Sequence, residues 1–300
     1  MIKNSRLRGT CKKIKVSGRV KIVTSALIWG SVGIFARFSR LDGLSLTFLR
    51  VSLGSLAFLM IFSFQDKTWI KTVFQKIRLK FWWILLLGVA LALNWVFLFT
   101  ALLYTQIAKV ILIYYMAPIF ATLMSIKFLN ERITTFRAFL IGLAFFGAFL
   151  MVSEAKFELG DRDFVGMSFA FLGAIFYAMI PTLGRFLKNI ESEVLTFAQL
   201  AVASVVLLPL VGMGKASFSN AIWWAVVILV LVHTVFALLN YMSGLKDVEV
   251  NEAALLSYLD PLSAIIYAFL VFGEIPSFRT LIGGGLILLA SVLDIIKGEE

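Results

Sequence analysis

Ten apolar stretches, each close to the length of a bilayer crossing, run through this 300-residue chain. They lie at roughly 22–38, 44–64, 81–103, 107–129, 136–153, 164–184, 194–213, 221–244, 253–273 and 279–296. An apolar helix needs about 20 residues to cross the hydrocarbon. None of the stretches alternates with the period of two that a membrane β-barrel requires. Backbone in lipid must satisfy its own hydrogen bonds, so the stretches are expected to be helices. Apolar residues make up 61% of the chain and charged residues 15%, which excludes ordinary water-facing domains. The 29 Phe and 7 Trp exclude a disordered chain. One cysteine, Cys11, excludes a disulfide scaffold and a cysteine-ligated metal, and one histidine, His233, excludes a multi-histidine site. No cofactor and no metal is expected.

Charge sets the orientation. Segment 1–21 carries eight Lys and Arg and no acid, and 65–80 adds Lys67, Lys71, Lys76, Arg78 and Lys80. With both termini cytoplasmic, the inner segments hold 20 Lys and Arg and the outer ones 6, with Arg50 and Lys109 inside spans. That bias predicts an N-in, C-in protein of the inner membrane. The net charge of +11 is then a matter of topology, and no nucleic-acid partner is expected. The basic arm 1–21 is placed to touch anionic lipid.

The chain also repeats itself. A shift of 143 residues puts Tyr115 on Tyr258, Pro118 on Pro261, Glu131 on Glu274 and Gly142–Leu143 on Gly285–Leu286. A shift near 148 puts Trp29 on Tyr177 and Arg37 on Arg185. Each half, 22–153 and 164–296, has five spans, and an odd number sends the second half in from the opposite side. The expected fold is all-α and integral to the membrane: ten transmembrane helices as two inverted five-helix repeats around a central cavity. Secondary transporters are built this way, with the binding site near the midplane between the halves.

The run F-L-F-T-A-L-L-Y-T-Q-I-A-K-V-I-L-I-Y-Y-M-A-P-I-F-A-T-L-M-S-I-K-F-L-N-E-R-I-T at 97–134 resembles the end of an EamA domain. The run at 241–276, with Y-L-D-P at 258–261, resembles the same stretch of a second one, and Trp29–Gly30 and L-T-F-L-R at 46–50 fit the opening pattern. The order, spacing and repetition make the chain similar to ten-helix bacterial members of the drug/metabolite transporter superfamily. The resemblance implies movement of amino acids, amines, carboxylates or similar metabolites, often outward. Lys109 departs from the pattern, which is small or apolar there.

Ionisable side chains in a bilayer are costly and usually face a cavity. Arg50 forms a stripe with Thr47, Gly54 and Ala57; it either holds a substrate carboxylate or snorkels to the interface. His233 shares a face with Ala237, Asn240 and Gly244, and either packs through a hydrogen bond or titrates. Asn94 is interhelical glue or a substrate contact. Trp29, Tyr177, Tyr115 and Tyr258 form an aromatic cavity lining or plain core. Lys109 and its repeat mate Glu252 sit at opposite helix starts, as mouth residues or simple end charges. Asp260 pairs with a cation, takes a proton or bonds a neighbouring helix, and Pro118 and Pro261 bend or merely kink their spans. Ala138/Gly142 and Gly283–Gly285 are expected to allow tight helix contact. No P-loop or hydrolase motif is present, so the chain offers no ATP-driven step and no enzyme signature.

The expected protein is therefore a secondary exporter of small organic metabolites, working by alternating access. Its expected partners are the solute, membrane lipids and protons as coupling ion. A nucleotide-sugar or phosphometabolite exchanger is the rival within the superfamily. A lipid-modifying enzyme and a passive channel are the rivals from other classes.

Overall fold

A computed structural model describes residues 17–105, 107–152, 161–273 and 275–297. Most of the basic segment 1–21, most of the connection 154–163, and Glu274 lie outside the described residues. The described residues contain helices and no strand. In chain order the helices are α1 (Gly18–Ser39), α2 (Gly43–Gln65), α3 (Trp69–Leu79), α4 (Phe81–Tyr104), α5 (Lys109–Leu129) and α6 (Thr135–Met151). The second half follows as α7 (Arg162–Phe186), α8 (Ser192–Gly214), α9 (Trp223–Gly244), α10 (Val250–Phe272) and α11 (Phe278–Lys297). Among the described residues nine helices are long and apolar enough to cross a membrane, and α6 is a shorter apolar one. These ten correspond to the ten apolar stretches. Phe64, Leu103 and Ile275 are almost fully exposed on the outside, as a lipid-facing wall requires.

The remaining helix, α3, was not anticipated. Residues 65–80 read as a charged connection, but they fold into an amphipathic turn of chain that buries Trp69 and Val73. Trp69 stacks on Phe62 of α2 and meets Phe197 of α8 edge-on. Its basic side leaves Lys71 and Arg78 in the open. Burial of one aromatic and one valine ties an otherwise polar helix to the bundle.

Helix packing follows the repeat. α1 lies against α9 and α10, and α7 lies against their counterparts α4 and α5. α8 packs on α4 as α2 packs on α9. The mates α2 and α8 touch each other, and so do α6 and α11. Exchanging the halves therefore maps these main contacts onto one another, as a pseudo-twofold axis does.

The halves run in opposite directions. Gly18, at the start of α1, sits so close to the α9–α10 connection that a Cβ there would come within 2.8 Å of Asp247 Cβ and Val248 Cγ2. Arg185, at the end of α7, donates to the carbonyls of Leu245 and Lys246 in that same connection, at 3.0 and 2.5 Å. The start of α1 and the end of its mate α7 thus share one end of the bundle, here called the N-terminal face. At the opposite face Gly166 of α7 repeats the approach, and a Cβ on it would meet Thr105 Cγ2 at 2.6 Å.

Local signals repeat too. α5 ends at Asn130 with φ 55° and α10 at Gly273 with φ 67°, both in the left-handed region that closes a helix. Both helices are broken, α5 at Tyr115–Met116 and α10 at Ser257–Tyr258, with Pro118 and Pro261 buried just beyond.

The small-residue expectation holds at Gly283 and is corrected in register on α6. Gly142 and Gly285 face open space, and Ala138 is exposed. The close approach of α6 and α11 is made by Gly147 and Gly283: a Cβ on Gly283 would sit 2.4 Å from the Gly147 carbonyl oxygen. Gly283 belongs to the expected Gly283–Gly285 run, whereas Gly147, five residues past the expected Gly142, is the partner that sequence spacing missed.

Candidate functional site

Seven helices enclose a cavity of about 250 Å³ between the two halves. α6 and α11 contribute nothing to its wall. The first half supplies Trp29 and Val32 from α1, Arg50 from α2, five residues of α4 including Asn94 and Trp95, and Tyr114 from α5. The second half supplies Tyr177 and Ile180 from α7, His233, Thr234, Leu238 and Tyr241 from α9, and Asp260 from α10.

Arg50 is 7% exposed and lies deep in α2. Its Nε donates to the Thr234 hydroxyl at 3.0 Å, and its guanidinium carbon lies 4.5 Å from the centre of the Trp95 ring. No acid among the described residues pairs with it. The terminal nitrogens of the fork make no hydrogen bond to a described residue, and Arg50 lines the cavity. A buried guanidinium held only by a hydroxyl and a ring is short of an anion. The Thr47–Gly54–Ala57 stripe around it is buried helix packing, with Gly54 open to the Thr234 methyl: a Cβ there would lie 3.2 Å from Thr234 Cγ2.

Thr234 reaches Arg50 because α9 is wound as a π-helix over Leu229–Phe236. Thr234 bonds back to the Leu229 carbonyl at 2.9 Å, and His233 Nδ1 lies 3.3 Å from the Ile228 carbonyl, both five residues earlier. His233 Nε2 pairs with the Ser31 hydroxyl at 2.7 Å, and its backbone carbonyl accepts from Trp29 Nε1 at 3.0 Å. π stretches concentrate at functional sites because they re-aim side chains. Here the wide turn also rotates everything beyond it, which corrects one expectation. Asn240 does not share the cavity face with His233; its amide donates to the Lys21 carbonyl of α1 at 2.8 Å.

Asn94 is a clamp within the wall. Its amide donates to the Gly173 carbonyl of α7 at 2.9 Å and to the Tyr114 hydroxyl at 2.9 Å. Tyr114 in turn stacks on Tyr177 at 5.2 Å.

Tyr115 and Tyr258 do not line the cavity. Tyr258 is fully buried, and its hydroxyl donates to the Tyr115 carbonyl. Tyr114, one residue from the expected Tyr115, takes the aromatic place. Trp95, Thr234 and Tyr241 are further wall residues that sequence reasoning missed. Trp95 and Thr234 adjoin the named Asn94 and His233, so the signal was there but the rotation of the helix was not. Asp260, expected to pair with a cation, take a proton or bond a neighbouring helix, is on the cavity wall itself.

Charged pairs stand at both ends of the bundle. At the N-terminal face Arg19 pairs with Glu252, and Arg137 meets Asp294 at 2.7 Å, the Asn251 side-chain oxygen at 2.8 Å and Glu252 at 3.5 Å. Arg137 and Asp294 were not anticipated; both lie on the sister helices α6 and α11. At the opposite face Lys109, 1% exposed, pairs with Asp163 at 3.0 Å, and Thr105 bonds the same carboxylate. Lys109 and Glu252 are repeat mates of opposite sign, each tied to the other half's first helix. Between the cavity and the N-terminal face, Ala117, Pro118, Ala121, Ala178, Pro181 and Ala254 leave a void of only about 10 Å³. That is barely room for one water.

These features describe a two-fold helical bundle around a polar hollow, and comparison with known proteins supplies the family. The EamA-like transporter profile matches residues 16–153 and 164–295. The chain belongs to the EamA-like transporter family. It is 27% identical to the uncharacterized transporter YxxF of Bacillus subtilis over 294 residues, covering 96% of this chain and 92% of that protein. It is 31% identical to an uncharacterized transporter of Archaeoglobus fulgidus over 276 residues, covering 90% and 93%. A solved crystal structure superposes with a TM-score of 0.80 at 19% identity, over 93% of this chain and 96% of that one. The EamA-like protein is thus a multi-pass membrane transporter and not an enzyme.

Proposed function

We propose that this EamA-like protein is a secondary transporter of small organic metabolites, amino acids or related carboxylates and amines, and that it exports them by alternating access. The observation that carries the reading is Arg50: a buried fork with no acid partner among the described residues, steadied by Thr234 and Trp95 beside the cavity. A planar fork suits a carboxylate. The two halves rock about the cavity, with the charge clusters at the two ends opening in turn. The N-terminal face is the cytoplasmic one of the inner membrane, on the Lys and Arg bias. Energy comes from the solute gradient or from protons.

A nucleotide-sugar exchanger fits less well. The cavity is below the roughly 300–1,000 Å³ of pockets for drug-sized ligands. Its wall offers a diphosphate one arginine and also an acid, Asp260.

Purified protein in liposomes, tested by counterflow against labelled amino acids, amines, organic acids and nucleotide sugars, decides the class. Saturable counterflow of a carboxylate-bearing solute that R50A abolishes supports the reading. Equal flux in R50A rejects Arg50 as the anchor. Repeating the assay with an imposed pH gradient decides the coupling.

A further inference from the structure

An arginine and an aspartic acid face the cavity from opposite halves, and neither pairs with an ionisable side chain among the described residues. Arg50 stands on α2, and Asp260 stands on α10. They are not within ion-pair distance of each other, although both border the same hollow. Asp260 spends only its backbone groups: its N–H donates to the Ser257 carbonyl at 3.1 Å, and its carbonyl accepts from the Ser263 hydroxyl at 2.9 Å. The carboxylate enters no hydrogen bond or ion pair with a described residue.

The break in α10 explains how an unpaired carboxylate is tolerated there. It starts a new helical segment at Leu259, and Asp260 is the second residue of it. The positive end of that segment's dipole favours an anion. The fold therefore places an acid from one half and an arginine from the other on the wall of one cavity.

We propose that Asp260 is the ammonium-binding residue of the substrate site and that the solute carried is a zwitterion, its carboxylate on Arg50 and its ammonium on Asp260. This rests on the reading of Arg50 as the carboxylate anchor. A ligand with both charges joins α2 to α10 and so links the two halves. A ligand with one charge leaves the other pole bare in a water-poor site. Sites built to pair a polar group reject analogues that lack it much more strongly than sites that sense size alone.

The test uses proteoliposomes and three labelled pools. One holds the twenty common amino acids, one their deaminated carboxylates, and one their decarboxylated amines. In wild type, amino-acid uptake is expected to exceed uptake of either truncated pool at least tenfold. D260N is expected to lower amino-acid uptake at least tenfold and to erase the preference for amino acids over carboxylates, and D260E to restore most of that preference. R50Q is expected to lower both amino-acid and carboxylate uptake. Should D260N not fold, the wild-type preference and D260E still decide.

Wild-type uptake of carboxylates at parity with amino acids overturns the zwitterion and leaves the Arg50 anchor standing. Equal loss of all pools in D260N, with loss of acid-driven accumulation, makes Asp260 a proton carrier and overturns it as well. Uptake of no pool, or uptake of amines alone, overturns the anchor reading together with this one.

Discussion

The Tyr258 hydroxyl donates to the backbone carbonyl of Tyr115 at 3.0 Å, and the two residues are repeat mates, 143 positions apart. The bond joins the broken point of α10 to the broken point of α5, one from each half. The pseudo-twofold axis therefore passes between the two kinks. It is an asymmetric bond on a symmetric site, since the Tyr115 hydroxyl plays no part in it.

That asymmetry gives a paired stability test. Y258F removes the donor and leaves a buried carbonyl without its partner, which costs about 1–3 kcal/mol. Y115F keeps the bond. The unfolding midpoint in detergent is expected to fall for Y258F and to hold for Y115F. Equal midpoints in both variants would show that the kinks are not tied through this hydroxyl.

The α6–α11 contact yields a second pair. G283A drives a methyl to 2.4 Å from the Gly147 carbonyl oxygen, and backbone on both sides leaves it nowhere to go. Overpacking of this kind costs about 1–3 kcal/mol. G142A and G285A point into open space and are expected to be neutral or slightly stabilising through helix propensity. Thermal midpoints of the three variants check the assignment, and a silent G283A would refute the close approach.

How much of this was legible in the sequence follows from what sequence spacing encodes. Span number, the repeat and the family resemblance could all be read, because apolar length and a 143-residue echo are properties of the string. Helix rotation could not. Tyr114 replaced Tyr115 in the wall because a one-residue error turns a side chain by about 100°, and Gly147 replaced Gly142 at the contact because five residues leave a net turn of about 140°. The π turn over Leu229–Phe236 has no signal in sequence spacing, so Asn240 was misplaced and Thr234 missed. Arg137 lay hidden for a different reason. It counted as an inner-end charge, and only the fold brings Asp294 to it from 157 residues away. Among the site residues, Trp29, Arg50, Asn94, Tyr177, His233 and Asp260 reach the cavity wall.

The support of Arg50 is testable apart from its charge. R50K keeps a cation but loses the fork and the stacking geometry. It is expected to lower transport of a carboxylate-bearing solute by roughly 10–100-fold, an effect of about 1.4–2.8 kcal/mol. T234V keeps the volume and removes the acceptor of Arg50 Nε, and is expected to raise KM more than it lowers the maximal rate. W95A removes a cation–π contact of about 0.5–2 kcal/mol and acts in the same direction. Counterflow kinetics on the three variants separate the effects. Wild-type kinetics in R50K would mean that a point charge suffices and that the fork does not read the solute.

Opposite the N-terminal face, Lys109 and Asp163 are 3.0 Å apart, with the lysine side chain 1% exposed. A cation in the first turn of α5 opposes that helix's dipole, so the lysine depends on its carboxylate partner. Removing one partner of a buried pair costs about 3–5 kcal/mol, whereas removing both costs much less. K109M and D163N are each expected to lower the unfolding midpoint, and K109M/D163N to recover a large part of the loss. The cycle should give a coupling of more than 1 kcal/mol. Burial should also protect the pair from salt, so the coupling is expected to change little when ionic strength rises, unlike that of the exposed Lys76–Glu191 pair, at 3.2 Å. A coupling near zero, or one that salt erases, would show that Lys109 acts as a solvated end charge and that the pair does not tie α5 to α7.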